Sequence, residues 1–127
     1  MTKRVLVVDD EAPIRELMTE ALSRSGCEVV TAASGEEALE RLRQGNLQVM
    51  LLDLKLPGMD GVELARRIKR ERPMAIMYAM TGYSSLFELA DCREAGFDDY
   101  FLKPLRLEDI STAINQAFEK LERWRRQ

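Results

Sequence analysis

Val49 to Gly61 reads VMLLDLKLPGMDG, an apolar run that ends on a carboxylate and then on chain-turning residues. Val49, Met50, Leu51 and Leu52 show no alternation of apolar with polar side chains. A strand wet on one face would alternate, so this one is covered on both, as in a parallel sheet with helices on either side. Asp53 then stands at the carboxyl end of a buried strand, the edge where open parallel sheets gather ligands. A lone aspartate in that place is more often only a turn starter or a helix cap. Its meaning depends on what the other strands bring to the same edge.

The rest of the chain supplies such strands at regular intervals. Lys3 to Val8 is a β-branched apolar strand that ends on three consecutive acids, Asp9, Asp10 and Glu11. After Ala12 and Pro13, the residues Ile14, Leu17, Met18, Ala21 and Leu22 recur at helical spacing until Gly26. Glu28 to Ala32 is a short strand, and Ser34 with Glu37 forms a capping-box signature before a helix carrying Ala38, Leu39 and Leu42, closed by Gly45 and Asn46. Beyond the loop from Leu54 to Asp60, Val62, Leu64, Ala65 and Ile68 mark a helix over Gly61 to Arg72, stopped before Pro73. Met74 to Met80 predicts a fourth strand ending at Thr81 and Gly82. Ser84 or Ser85 can cap a helix with Leu86, Leu89, Ala90 and Cys92, ended by Gly96. Asp98 to Leu102 predicts a fifth strand before Lys103 and Pro104, and a last helix runs from about Leu107 towards the C-terminus. Strands alternating with helices predict one α/β domain, a doubly wound, flavodoxin-like (βα)5 parallel sheet of order 2-1-3-4-5.

Charge, hydropathy and residue content disfavour several function classes. The net charge of -3 gives no general attraction to nucleic acid or to an anionic membrane. No apolar run approaches the ~20 residues that span a bilayer, and Met1 to Arg4 leads into a strand and not a signal segment, so a cytoplasmic location is expected. With 0 histidines, Ser/His and Cys/His nucleophile pairs are absent, and Cys27 and Cys92 lack zinc-ligand spacing.

The strand ends themselves are chemically distinct: Asp9 and Asp10, then Asp53, then Thr81, then Lys103. In a parallel sheet these converge, and carboxylates packed together repel unless a proton or a cation relieves them. Mg2+ suits that site, being a hard ion that prefers carboxylate and water oxygens and keeps positions for a phosphate. Lys103 can meet a phosphoryl oxygen and Thr81 supplies a hydroxyl donor. An aspartate oxygen in such company is a nucleophile towards phosphorus, giving an acyl phosphate. Each residue has a dull explanation singly; jointly they point to one site.

With these residues in place, the chain resembles the response-regulator receiver domains of bacterial two-component signalling. The resemblance rests on Asp9 and Asp10 after the first strand, on Asp53 within D-x-x-x-P-G-M-D-G, on Thr81 followed by Gly82, and on Lys103-Pro104, and it covers about 3–118. It implies that Asp53 accepts a phosphoryl group from a sensor histidine kinase or phosphotransfer protein. Asp10, Asp53 and the backbone carbonyl of Lys55 would bind Mg2+, with Asp9 acting through water. Thr81 and Lys103 would hold the phosphoryl group, and the Lys103–Pro104 peptide is expected to be cis.

The resemblance further implies that Thr81 moves towards the phosphoryl group and that Tyr100 turns into the vacated space. That movement would change the face made by the fourth helix, fifth strand and fifth helix, which controls an effector domain or downstream protein. Tyr100 also satisfies the simpler description of a half-buried strand aromatic. Leu107, Ile110, Ile114, Ala117, Leu121 and Trp124 form a heptad-like seam on the last helix, its first half best explained by packing on the chain's own sheet. The segment 119–127 is a helix extension, a frayed end or the start of a linker, and a homodimer through the fourth-helix, fifth-strand, fifth-helix face is one expectation. Gly82 departs from the family's more usual Ala, while Lys55 and Tyr83 occupy positions that modulate phosphate lifetime there. Two other classes stay in view: a phosphate-independent interaction domain, which would typically lack an acid or the lysine, and a Mg2+-dependent aspartyl phosphatase. The latter resembles D-x-D after the first strand, whereas Asp9 and Asp10 are adjacent.

Overall fold

The computed structural model describes residues 2–82 and 86–125, the side chains at 86 and 87 excepted. Its elements alternate without interruption: β1 (Arg4–Val8), α1 (Ala12–Arg24), β2 (Glu28–Ala32), α2 (Gly35–Gln44), β3 (Val49–Asp53), α3 (Gly61–Glu71), β4 (Ile76–Thr81), α4 (Leu86–Ala95), β5 (Asp99–Leu102) and α5 (Leu107–Arg125). All strand pairs are parallel, and the sheet order is β2-β1-β3-β4-β5, as the sequence predicts.

The lack of alternation in the central strands has a direct cause, since both faces of the sheet are dry. Leu6, Val8, Met50, Leu52, Met77 and Ala79 point to one side, where they pack with Ala38 and Leu42 of α2, Leu64 and Ile68 of α3, and Cys92 of α4. Val5, Val7, Val49, Leu51, Ile76 and Met80 point to the other, against Met18 and Leu22 of α1 and Ile110, Ile114 and Phe118 of α5. Each fully buried Leu, Ile or Met contributes about 1.5–3 kcal/mol, so the sheet's two faces carry most of the driving force.

Local chemistry sets the ends of the elements. The Ser34 hydroxyl accepts the Glu37 amide at 3.1 Å, realising one half of the expected capping box. Asp60 does the same for α3, accepting the Glu63 amide at 2.9 Å, a cap that a loop assignment for Asp60 misses. Gly96 ends α4 at φ 106, with the Phe97 amide donating to the Cys92 carbonyl at 3.0 Å. The expected cap at Ser84 or Ser85 lies outside the described residues.

Boundaries differ from the sequence reading at three strands. β4 begins at Ile76, not Met74, because the Ala75 amide closes a turn on the Arg72 carbonyl at 3.0 Å and leaves Met74 exposed. It also runs on to include Thr81. β5 begins at Asp99 because the Asp98 carboxylate accepts the Met77 amide at 2.9 Å, taking the place of a backbone partner. β1 begins at Arg4, although the Lys3 carbonyl still accepts from Glu28. Among the described side chains of α4, Cys92 and Ala95 are buried, Leu89 is half-buried and Ala90 is exposed, so of the expected stripe Ala90 falls outside the core and the Leu86 side chain lies outside the described residues. Leu121 of α5 packs on the chain's own core, whereas Trp124 is exposed. No helix among the described residues is long and apolar enough to cross a membrane.

Candidate functional site

The ladder hydrogen bonds continue one residue past the strands and fix what stands at the carboxyl edge. The Asp9 amide donates to Ala32, the Leu54 amide to Met80 at 3.1 Å, and the Lys103 amide to Thr81 at 2.8 Å. Val8 pairs with Leu52, which puts Asp9 beside Asp53. Gly61 then lets the chain turn away from this edge: a Cβ there would collide with the Asp53 carbonyl oxygen and lie 2.8 Å from the Leu54 Cα. Only a residue without a side chain allows α3 to start so close behind Asp53.

The polar groups at that edge are withdrawn from water. Asp9, Asp53 and Thr81 are buried, the first completely, while Asp10 is exposed. One carboxylate oxygen from each of Asp9, Asp10 and Asp53 lies within 4.8 Å of the others. Lys103 Nζ reaches into the same space, 3.2 Å from Asp9 Oδ2, 3.5 Å from Asp53 Oδ2 and 3.4 Å from Glu11 Oε2. Backbone amides hold the acids in place, Glu11 N–H donating to Asp9 Oδ1 at 2.8 Å and Lys55 N–H to Asp53 Oδ1 at 3.2 Å. Arg15 of α1 donates to the Asp9 carbonyl at 2.7 Å. The Lys103–Pro104 peptide bond is cis.

Electrostatics follow from this crowding. Burial first, and then the Asp9 charge, push the Asp53 carboxyl above the ordinary carboxylate range, against the opposing pull of the Lys55 amide and of Lys103. Burial alone would lower the Lys103 ammonium, but Asp53, Asp9 and Glu11 outweigh it and raise its pKa. The donor set is therefore oxygen-only, acidic and short of positive charge. Such a set fits a hard divalent cation better than any soft metal, with Lys103 covering part of the deficit.

Of the residues singled out from sequence, Asp9, Asp10, Asp53 and Lys103 are brought together directly. Thr81 ends β4 on the neighbouring strand, in register with Leu102. Lys55 offers its amide to Asp53 at 3.2 Å, and the exposed residue lines an open groove together with Asp10, Pro57, Asp60 and Asp91. Tyr100 sits on β5 with its ring partly in water, beside Leu89, Cys92 and Arg93 of α4. Its neighbour Phe101 packs inward, edge-on to Tyr78 with ring centroids 5.7 Å apart. Tyr83 lies outside the described residues. Two participants carried no role in the sequence reading: Arg15, and the Glu11 carboxylate. The adjacency of Glu11 to the acid pair was visible, but its reach to Lys103 is a tertiary fact.

Comparison with known proteins gives a consistent result. Residues 5–115 match the family described as "Response regulator receiver domain". The sporulation initiation phosphotransferase F of Bacillus subtilis is 33% identical over 116 residues, 91% of this chain and 94% of that protein. A cyclic di-GMP phosphodiesterase of Thermotoga maritima is 38% identical over 113 residues, but the chain spans only 30% of its length. Among solved structures, a CheY-like response regulator receiver domain protein from Methanospirillum hungatei superposes with a TM-score of 0.92 at 32% identity, covering 97% of this chain and 98% of that one.

Proposed function

The chain belongs to the response regulator receiver domain family, and on that premise we propose that Asp53 is its phosphoacceptor and that Asp9, Asp10, Thr81 and Lys103 form the machinery around it. Phosphorylation-dependent switching is the function of this family, whose members take phosphoryl groups from histidine kinases or phosphotransfer proteins and act on effector domains. The observation that carries the assignment is the Lys103 ammonium, held 3.5 Å from the buried Asp53 carboxylate and 3.2 Å from Asp9.

A carboxylate oxygen of Asp53 forms a new bond to phosphorus while the phosphorus–nitrogen bond of a kinase phosphohistidine breaks, the bonding pair staying with the imidazole. Lys103 then meets the phosphoryl oxygens with its ammonium, and the Thr81 hydroxyl donates to them. Asp9, Asp10, Asp53 and the Lys55 carbonyl would hold Mg2+, in keeping with their clustered oxygens. Bound there, the ion would offset the negative charge of the carboxylates and of the incoming phosphoryl group. Burial of Asp9 and Asp53 keeps bulk water from screening these charges. The whole chain acts as one cytoplasmic receiver domain, with its core over about 3–118, and it serves as a signalling switch, not a metabolic enzyme.

Incubation with acetyl phosphate and Mg2+ is expected to give a single phosphoryl adduct by intact mass, removable by hydroxylamine as acyl phosphates are; absence of any adduct sinks the assignment. The output surface is the α4-β5-α5 face, where Tyr100 and Leu102 already stand exposed on the edge strand. Tyr100, beside α4, is the element that would couple Thr81 to that face. Self-association through it should strengthen on phosphorylation, so sedimentation with beryllofluoride and Mg2+ should show a dimer, and identical monomers with and without the mimic would refute it.

A further inference from the structure

Glu11 has no structural duty that explains where its side chain goes. It occupies the N-cap position of α1 but makes no side-chain cap bond there. Its backbone does the local work: the amide donates to Asp9 Oδ1, and the carbonyl accepts from Ile14 and Arg15. The carboxylate instead crosses to Lys103, 3.4 Å from Nζ, while more than half of the side chain remains in water. Lys103 therefore divides one positive charge among three carboxylates, two of them buried and the third solvated. The solvated partner is the cheapest to release, because water replaces the lost ion pair.

We propose that Glu11 is a positioning residue for phosphoryl transfer: its carboxylate draws the Lys103 ammonium towards the β1–α1 side in the resting chain and lets it go when a phosphoryl group arrives on Asp53. This rests on Asp53 being the acceptor. With acetyl phosphate as donor, an Asp53 oxygen bonds to phosphorus, the phosphorus–oxygen bond to the acetyl group breaks, and acetate leaves with the bonding pair. No proton or electron is transferred. Until Glu11 releases it, the ammonium is shared away from the oxygens that gain charge in this step. Glu11 therefore restrains the reaction, and its loss accelerates phosphorylation.

The test compares the full chain with Glu11→Gln and Glu11→Asp, following the phosphoryl adduct by intact mass over time with acetyl phosphate and Mg2+. Glutamine removes the charge, whereas aspartate keeps it on a side chain one methylene shorter. Both variants are expected to label about 2- to 5-fold faster than the parent, the range that one partly exposed ion pair can supply. Faster labelling in Glu11→Gln with parental rates in Glu11→Asp would overturn the proposal, because charge at the mouth and not contact with Lys103 would then be the cause. Unchanged or slower labelling in both overturns it as well. Circular dichroism checks that each variant is folded, as expected of a side chain that caps nothing and stands mostly in water. A parent chain that never labels overturns the acceptor assignment and this inference together, whereas parental labelling without the rate changes removes only the inference.

Discussion

Asp53→Asn is expected to lose all phosphoryl labelling and, at the same time, to make the metal-free protein more stable. The two effects share a cause. Asp53 is a buried carboxylate beside another, and its pKa is raised chiefly by burial and then by Asp9. A raised carboxyl pKa means that the folded chain holds the proton more tightly than the unfolded chain does. Stability therefore falls as pH rises from the ordinary carboxylate value to the raised folded value, and the deficit persists above it. Asparagine has no such ionisation, so the variant should lack that part of the slope and be the more stable of the two at neutral pH. Urea titrations at several pH values, without divalent cations, measure this. A variant that is less stable than the parent at neutral pH, or that still labels, would refute the account.

Lys103→Met is expected to act in the opposite direction. The Lys103 side chain is only 21% exposed and its ammonium is shared among Asp9, Glu11 and Asp53, the first of them fully buried. Removing it leaves buried carboxylates with no counter-charge, a loss of up to ~3 kcal/mol for the metal-free chain. Mg2+ should restore more stability to this variant than to the parent, since the cation then takes over the neutralising role. The double variant Asp53→Asn, Lys103→Met should recover part of the loss, because one of the stranded charges has gone. Denaturant midpoints with and without Mg2+ give all of these comparisons, and equal Mg2+ responses in parent and variant would count against the electrostatic assignment. Phosphoryl labelling of Lys103→Met should be slowed severely, as the phosphoryl oxygens lose their cationic partner.

Much of the fold was legible because the central strands are buried on both faces, so Val49 to Leu52 and Val5 to Val8 read as unbroken apolar runs. The groups at their ends were legible for a related reason: register in a parallel sheet is set by the backbone, so polar residues just after each strand must meet at one edge. Boundaries were harder to read where side chains stand in for backbone partners, as Asp98 does at the start of β5. On α4 the apolar residues spread around the helix, so no single period separated the exposed Ala90 from the buried Cys92 and Ala95. The contact between Glu11 and Lys103 joins residues 92 positions apart, and no local pattern in the sequence encodes it.

The positions of Asp9, Asp53, Thr81 and Lys103 depend on inter-strand amide bonds, not on the outward sides of any helix. Substitutions on the wet faces of α4 and α5 should therefore leave these four residues in register, because none of the amide bonds that place them comes from those faces.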